Sequence, residues 1–128
     1  MTDAVKHIGS ANEFKALLAS TQYVVADFYA DWCPPCKAIA PKYAELAGQH
    51  DIPGYIAFAK VNVDKLQALA GEYGITAMPS FIFFKDGKRV KANGSLKIEG
   101  ADWPKLKAAS DKMGKLAAAK ADKDEDLK

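Results

Sequence analysis

The run Tyr23-Val24-Val25-Ala26-Asp27-Phe28-Tyr29 is apolar at nearly every position and holds a single carboxylate. In an extended chain, successive side chains point to opposite faces, so a run that does not alternate needs apolar cover on both. It predicts the central strand of a sheet with helices packed on each side. The 128 residues suit one such domain, within the usual ~100–150.

The flanking sequence supplies the cover. Val5 to Ile8 is a short strand candidate, and Ser10 with Glu13 has capping-box spacing before a helix carrying Phe14, Leu17 and Leu18 on one face. From Cys33 onward, Ile39, Tyr43, Leu46 and Ala47 recur with helical period. Pro41 within that stretch removes a backbone donor and predicts a kink, and Asp51 to Gly54 end the helix. Ile56 to Val63 reads as a second buried strand. Asp64 and Gln67 repeat the capping-box spacing before a short helix from Leu66 to Tyr73, with Gly74 as its stop. Ser80 to Phe84 reads as a strand, Asp86-Gly87 as a hairpin turn, and Arg89 to Ile98 as a return strand interrupted at Asn93-Gly94. Asp102 predicts the cap of a last helix with Leu106, Ala109, Met113 and Leu116 on one face. This order gives an α/β protein, a three-layer α/β/α sandwich around a mixed sheet. Residues 1–113 are expected to form the domain, and 114–128, rich in Ala, Lys, Asp and Glu, a charged tail that is either a fraying helical extension or disordered.

Charge excludes several classes of function. Basic and acidic residues number 18 and 16, for a net +2, and Arg89 is the only arginine. No nucleic-acid partner is expected, since the cluster Lys85, Lys88, Arg89 and Lys91 belongs to a solvated hairpin. No apolar run approaches the ~20 residues of a membrane span. The first residues lack both the apolar core of a secretory signal and the arginine-rich character of a transit peptide. A cytoplasmic monomer without a membrane partner is the expectation. In a reducing compartment, a Cys-x-x-Cys pair more often serves redox chemistry or metal than structure.

That pair lies in Trp32-Cys33-Pro34-Pro35-Cys36-Lys37, at the junction of the buried strand and the following helix. The two cysteines can form at most one bridge, so a disulfide framework is excluded. A helix N-terminus presents partial positive charge and unpaired donors, which lower a thiol below its free pKa of ~8.5. Cys33 is expected at the N-cap and at an exposed tip, where it can attack a disulfide. Cys36, one turn inside the helix, can resolve the mixed disulfide. The prolines suit a first turn whose N–H groups are orphans, although a residue preceding proline, here Pro34, is disfavoured from helical geometry. Asp27 is the one ionisable group of the buried strand. If buried it would carry a raised pKa and act as a base for Cys36; if at a strand edge it would be an ordinary solvated acid. Lys60 is either its partner or exposed. Trp32 reads as a core aromatic or as a flat apolar surface beside the reactive sulfur. Zinc needs four ligands, which His7 and His50 do not complete, and haem attachment needs a histidine where Lys37 stands. No metal is expected.

Several separated motifs now agree. The stretch from Val25 through Asp27, Trp32-Cys33-Pro34-Pro35-Cys36-Lys37 and Pro41, then Ala59-Lys60-Val61-Asn62-Val63-Asp64, Gly74-Ile75-Thr76-Ala77-Met78-Pro79-Ser80-Phe81 and Phe84-Lys85-Asp86-Gly87, resembles the thioredoxin family in order and spacing over about Val5 to Met113. The resemblance implies a thioredoxin fold with a sheet of four to five strands and a cis Met78-Pro79 bond beside the cysteines. It implies that Cys33 and Cys36 form a redox-active disulfide, with Asp27 and Lys60 as further catalytic residues. Trp32, Pro34, Pro35, Ala77, Met78, Pro79, Gly100 and Ala101 would line the substrate groove, where Met78 offers its backbone to a substrate strand.

The implied activity is protein-disulfide reduction with no bound cofactor, the electrons coming from NADPH through a flavin-dependent thioredoxin reductase. The implied substrates are disulfide-containing proteins such as peroxiredoxins and reductases. Pro34-Pro35 replaces the family's usual Gly-Pro, a variation met in tryparedoxin-like and nucleoredoxin-like relatives. A tryparedoxin- or nucleoredoxin-like donor to peroxidases and a redox-dependent binding module are therefore the alternatives. Glu99 stands where the groove commonly carries an apolar residue, which favours a partner with a basic residue near its disulfide.

Overall fold

The computed structural model describes residues 3–127; residues 1, 2 and 128, which the sequence assigns to the domain and its tail, lie outside them. The chain runs β1 (Lys6–His7), α1 (Ala11–Ser20), β2 (Tyr23–Tyr29), α2 (Pro34–His50), β3 (Ile56–Asn62), α3 (Gln67–Glu72), β4 (Ser80–Lys85), β5 (Lys88–Arg89), β6 (Lys97–Glu99) and α4 (Trp103–Asp126). The sheet order is β1-β3-β2-β4-β5, with β6 also on β4. β5 pairs with Phe84 and Lys85, and β6 with Ser80 to Ile82, so these two short strands share one edge and the sheet has five positions.

β2 is central, as its two-sided apolar pattern requires. It is parallel to β3 over all seven residues and antiparallel to β4. Tyr23 and Val25 face a core completed by Ile39, Tyr43 and Leu46 of α2 and Leu106, Ala109 and Met113 of α4. Val24, Ala26 and Phe28 face the opposite core, under Phe14 and Leu18 of α1 and Leu69 of α3. This two-sided burial makes the fold a three-layer α/β/α sandwich, a mixed sheet flanked by helices.

Local signals set most boundaries. Ser10 Oγ accepts the Glu13 N–H at 3.1 Å, a cap worth about 1 kcal/mol. Asp86 and Gly87 both take positive φ, 53° and 81°, which a two-residue hairpin turn between β4 and β5 demands. Asn93 and Gly94 repeat this geometry inside the return segment.

Three expectations are corrected. The Asp64–Gln67 capping box does not form: α3 begins after Leu66 with no side-chain cap, and Gln67 Nε2 donates to the Asp64 backbone carbonyl instead. The Asp64 carboxylate is engaged elsewhere, as described below. The buried stripe of α4 does not include Leu116, which is 48% exposed; it continues through Ser110, Gly114 and Ala117, the set that 3.6 residues per turn keeps under the sheet. Finally, α4 continues without a break past residue 113, where a frayed or disordered tail was expected. Ala117 is fully buried, and the Tyr55 hydroxyl donates to Asp124 Oδ2 at 2.7 Å, so tertiary contact adds to the helix propensity of the Ala, Lys and Leu residues in holding the last turns.

Candidate active site

The cysteines sit where β2 hands over to α2. Pro34 and Pro35 fill the first two helical positions, so the steric bias against Pro34 is overcome there, and neither has an N–H to leave unpaired. Cys36 therefore supplies the first available donor, and its N–H points to Cys33 Sγ at 3.2 Å, making the sulfur itself the N-cap acceptor. The two sulfurs are joined in a disulfide, with their Cα atoms 5.3 Å apart.

Exposure does not distinguish the two sulfurs, contrary to expectation: each cysteine is 3% exposed. Ala30, Tyr29, Val63 and Met78 pack around the cysteine pair, and Cys33 Sγ lies 3.7 Å from the Met78 carbonyl oxygen. What separates them is position. Cys33 is outside the helix against Met78, whereas Cys36 is inside the first turn and lines a cleft of about 120 Å³ with Tyr29, Ala30, Asp31, Lys37, Ala40 and Lys60.

The Met78-Pro79 bond is cis. Pro79 O accepts the Gly100 N–H at 2.7 Å, which brings the end of β6 alongside, and Gly100 takes φ 88°, a backbone state suited to glycine. Ala77 O accepts from the Ser80 hydroxyl, and Ala101 is exposed next to Gly100. Trp32 is 64% exposed, which selects the reading as an apolar surface beside the cysteines. Pro34 and Pro35 are exposed on the same rim. Glu99 is exposed beside Ser80 and paired with Lys97 at 3.6 Å.

Asp27 is buried, 1% exposed, and neither carboxylate oxygen has a hydrogen-bond partner among the described residues. Burial raises its pKa from 3.8 to about 7, partly opposed by the charge of Lys60. Lys60 is its in-register neighbour on β3, yet no ion pair joins them; the Lys60 ammonium lies over the Tyr29 ring, 4.3 Å from its centroid. Tyr43 lies beneath, its hydroxyl 2.9 Å from Val25 O and 2.7 Å from Ala59 O.

Sequence reasoning missed the supports of Trp32. The indole Nε1–H donates to Asp64 Oδ2 at 2.8 Å, and Asn62 Nδ2 donates to Asp31 Oδ2 at 3.3 Å. Asn62 Oδ1 accepts the N–H groups of Asp64 and Lys65, fixing the turn after β3. The available signal was Asn62 itself, a polar residue closing an apolar strand. Among the described residues there is no group of three or more His, Cys, Asp or Glu able to hold a metal, and no helix long and apolar enough to cross a membrane. A cleft of about 570 Å³ between Asp3-Ala4 and Pro41, Ala44, Glu45, Gly48 and Gln49 of α2 is lined by neither cysteine.

A thiol at a helix N-cap, a second one turn inside and a buried acid of near-neutral pKa are the parts that dithiol–disulfide exchange needs. Comparison with known proteins agrees. The family model described as thioredoxin matches residues 5–103. The thioredoxin of Neurospora crassa is 61% identical over 121 residues, which cover 94% of this chain and 95% of that one. The crystal structure of Malassezia sympodialis thioredoxin superposes with a TM-score of 0.74 at 37% identity, covering 88% of this chain and 93% of its own. The solution structure of oxidised Plasmodium falciparum thioredoxin gives 0.74 at 34% identity, covering 86% and 98%.

Proposed function

Because the chain belongs to the thioredoxin family, we propose that its disulfide chemistry runs through Cys33 as the attacking sulfur and Cys36 as the resolving one. The protein is a thiol–disulfide oxidoreductase, and the observation that carries the assignment of roles is the Cys33–Cys36 disulfide at the N-cap of α2, against the Met78 carbonyl. In the reduced protein, the helix N-terminus stabilises the Cys33 thiolate. That thiolate attacks one sulfur of a partner disulfide, forms a mixed disulfide and expels the other partner sulfur as a thiolate, which takes a proton from solvent. Cys36 then gives its proton to the Asp27 carboxylate, and its thiolate attacks Cys33 Sγ. The second partner sulfur leaves, the Cys33–Cys36 disulfide is formed, and the partner has gained two electrons.

Trp32, Pro34, Pro35, Ala77, Met78, Pro79, Gly100 and Ala101 form the docking surface, with the Met78 N–H and C=O serving as one rung of strand pairing to an extended partner segment. Lys60 moderates the proton affinity of Asp27. The dithiol is regenerated by a flavin-dependent thioredoxin reductase drawing on NADPH, and the site of action is the cytoplasm. The substrates are proteins such as peroxiredoxins and reductases that form disulfides in turnover. Residues 1–113 carry the site, and the remainder of α4 supports the fold. The peroxidase-donor and binding-module alternatives are not favoured beside relatives that are thioredoxins over nearly their whole length.

Cysteine variants test the reading. Cys33→Ser is expected to abolish insulin disulfide reduction, whereas Cys36→Ser stops turnover and accumulates a mixed disulfide visible by mass spectrometry. Full activity in Cys33→Ser would overturn the assignment.

A further inference from the structure

We propose that Tyr29 is a positioning residue of this site: its ring face holds the Lys60 ammonium at the mouth of the cleft beside Cys36 and so sets how strongly Asp27 feels that charge. The inference rests on the reading of Asp27 as the proton acceptor of Cys36. Asp27 and Tyr29 are two apart on β2, so their side chains share the α2 side of the sheet. Lys60, in register with Asp27 on β3, projects to that side as well. Its ammonium does not reach the acid: it stands 4.3 Å from the Tyr29 centroid, while both Asp27 oxygens are without a hydrogen-bond partner among the described residues. Tyr29, Lys60 and Cys36 line the same cleft of about 120 Å³, and Lys60 is the in-register neighbour of Asp27.

The physical reason is hydration. An ammonium is a compact, strongly hydrated charge, and moving it against a buried carboxylate would strip that water. The aromatic face attracts the cation while leaving its other side toward the open cleft. Asp27 therefore receives the field of a positive charge held at fixed distance, rather than a neutralising contact or a freely moving chain end. The groups around Asp27 leave few rivals for this role. α2 contributes Tyr43, whose ionisation burial and the Asp27 charge oppose and whose hydroxyl is turned to the Val25 and Ala59 carbonyls. β4 presents Phe81 opposite, and α4 adds Leu106, Ala109 and Met113 to the same core, all without charge. Asp31 and Lys37 lie with Lys60 around the cleft.

Without the ring, the ammonium moves into water, its field at Asp27 weakens, and the carboxyl holds its proton to higher pH. The test is a ¹³C NMR titration of the Asp27 carboxyl in the oxidised protein, where the cysteines do not titrate. Tyr29→Leu is expected to raise the midpoint by roughly half a pH unit, a threefold change in the ionisation ratio. Tyr29→Phe, which keeps the ring, leaves it in place. Lys60→Gln raises it at least as far as Tyr29→Leu does, and the double variant goes no further than Lys60→Gln alone. An unchanged or lowered midpoint in Tyr29→Leu overturns the inference, as does a shift that persists when Lys60 is already Gln.

The unaltered protein offers a second check. The Lys60 side-chain methylene protons next to the ammonium should resonate upfield through the Tyr29 ring current, and their absence from that region also overturns it. If the midpoints move as expected while the pH dependence of disulfide reduction does not follow them, the positioning by Tyr29 stands and the role assigned to Asp27 falls.

Discussion

A carboxyl whose pKa burial has raised to about 7 keeps its proton over a pH range in which the unfolded chain has already lost it. Between pH 4 and 7 the folded state therefore binds more protons than the unfolded state. Stability contributed by Asp27 is present at low pH and is lost as pH rises to 7, after which nothing further is lost. The interval from 3.8 to about 7 corresponds to roughly 4 kcal/mol, at about 1.4 kcal/mol for each tenfold change. Asp27→Asn is expected to be several kcal/mol more stable than the parent at pH 8, to differ little from it at pH 4, and to slow disulfide reduction. Urea unfolding at the two pH values, with insulin reduction alongside, checks all three outcomes. The sequence showed a lone acid in an apolar strand. It did not show that the neighbouring lysine would turn to Tyr29, because that choice depends on the hydration of a cleft assembled from β2, β3 and α2.

Helix ends and helix contacts carry the next level of argument. Ser10, Cys33 and Asp102 all cap the helices that their sequence positions mark, since capping is decided within four residues. Asp64 fails as a cap for a tertiary reason: Trp32, distant in sequence, takes its carboxylate. The α2–α4 contact depends on Gly114. A methyl built on that residue would meet the His50 ring, with Cγ at 2.7 Å, and the ring is itself fixed by Asp111 at 2.8 Å and stacked on Phe58. Gly114→Ala is expected to destabilise the protein by about 1–3 kcal/mol through overpacking. Because the cost comes from the imidazole, Gly114→Ala made in a His50→Ala background should be nearly neutral, and a double-mutant cycle of denaturant midpoints measures the difference. Sequence periodicity placed α4 correctly but put Leu116 on its buried face. Only the crossing of the two helices reveals that the small residue Gly114 lies at the contact and that the buried stripe passes to Ala117.

At the scale of the whole molecule, the chemistry and the end of α4 lie at opposite ends of the sheet. The cysteines follow the C-terminal end of β2, whereas Tyr55, which holds Asp124, immediately precedes β3 at the other end. A chain ended after residue 113 would lose the buried Ala117 and the cover over Ile52 and Tyr55. Its Tm is expected to fall by roughly 4 °C, as for a loss of about 1 kcal/mol in a domain of this length, with insulin reduction at 25 °C preserved. Calorimetry and the activity assay together check it, and a loss of activity at full folding would assign the extension to the site. What the sequence determined by itself was whatever short-range chemistry decides: the two-sided central strand, the capped helix starts, the turns needing positive φ, and a cysteine pair at a helix N-terminus. Tertiary structure decided the rest. Cys33 is covered rather than exposed, Asp27 is buried without a hydrogen-bond partner among the described residues, Lys60 stands over Tyr29, Trp32 is tied to Asp64, and the charged end of α4 is docked. Each of these outcomes is a competition for water and for partners among groups far apart in the chain, and it has no answer until packing has decided which surfaces meet.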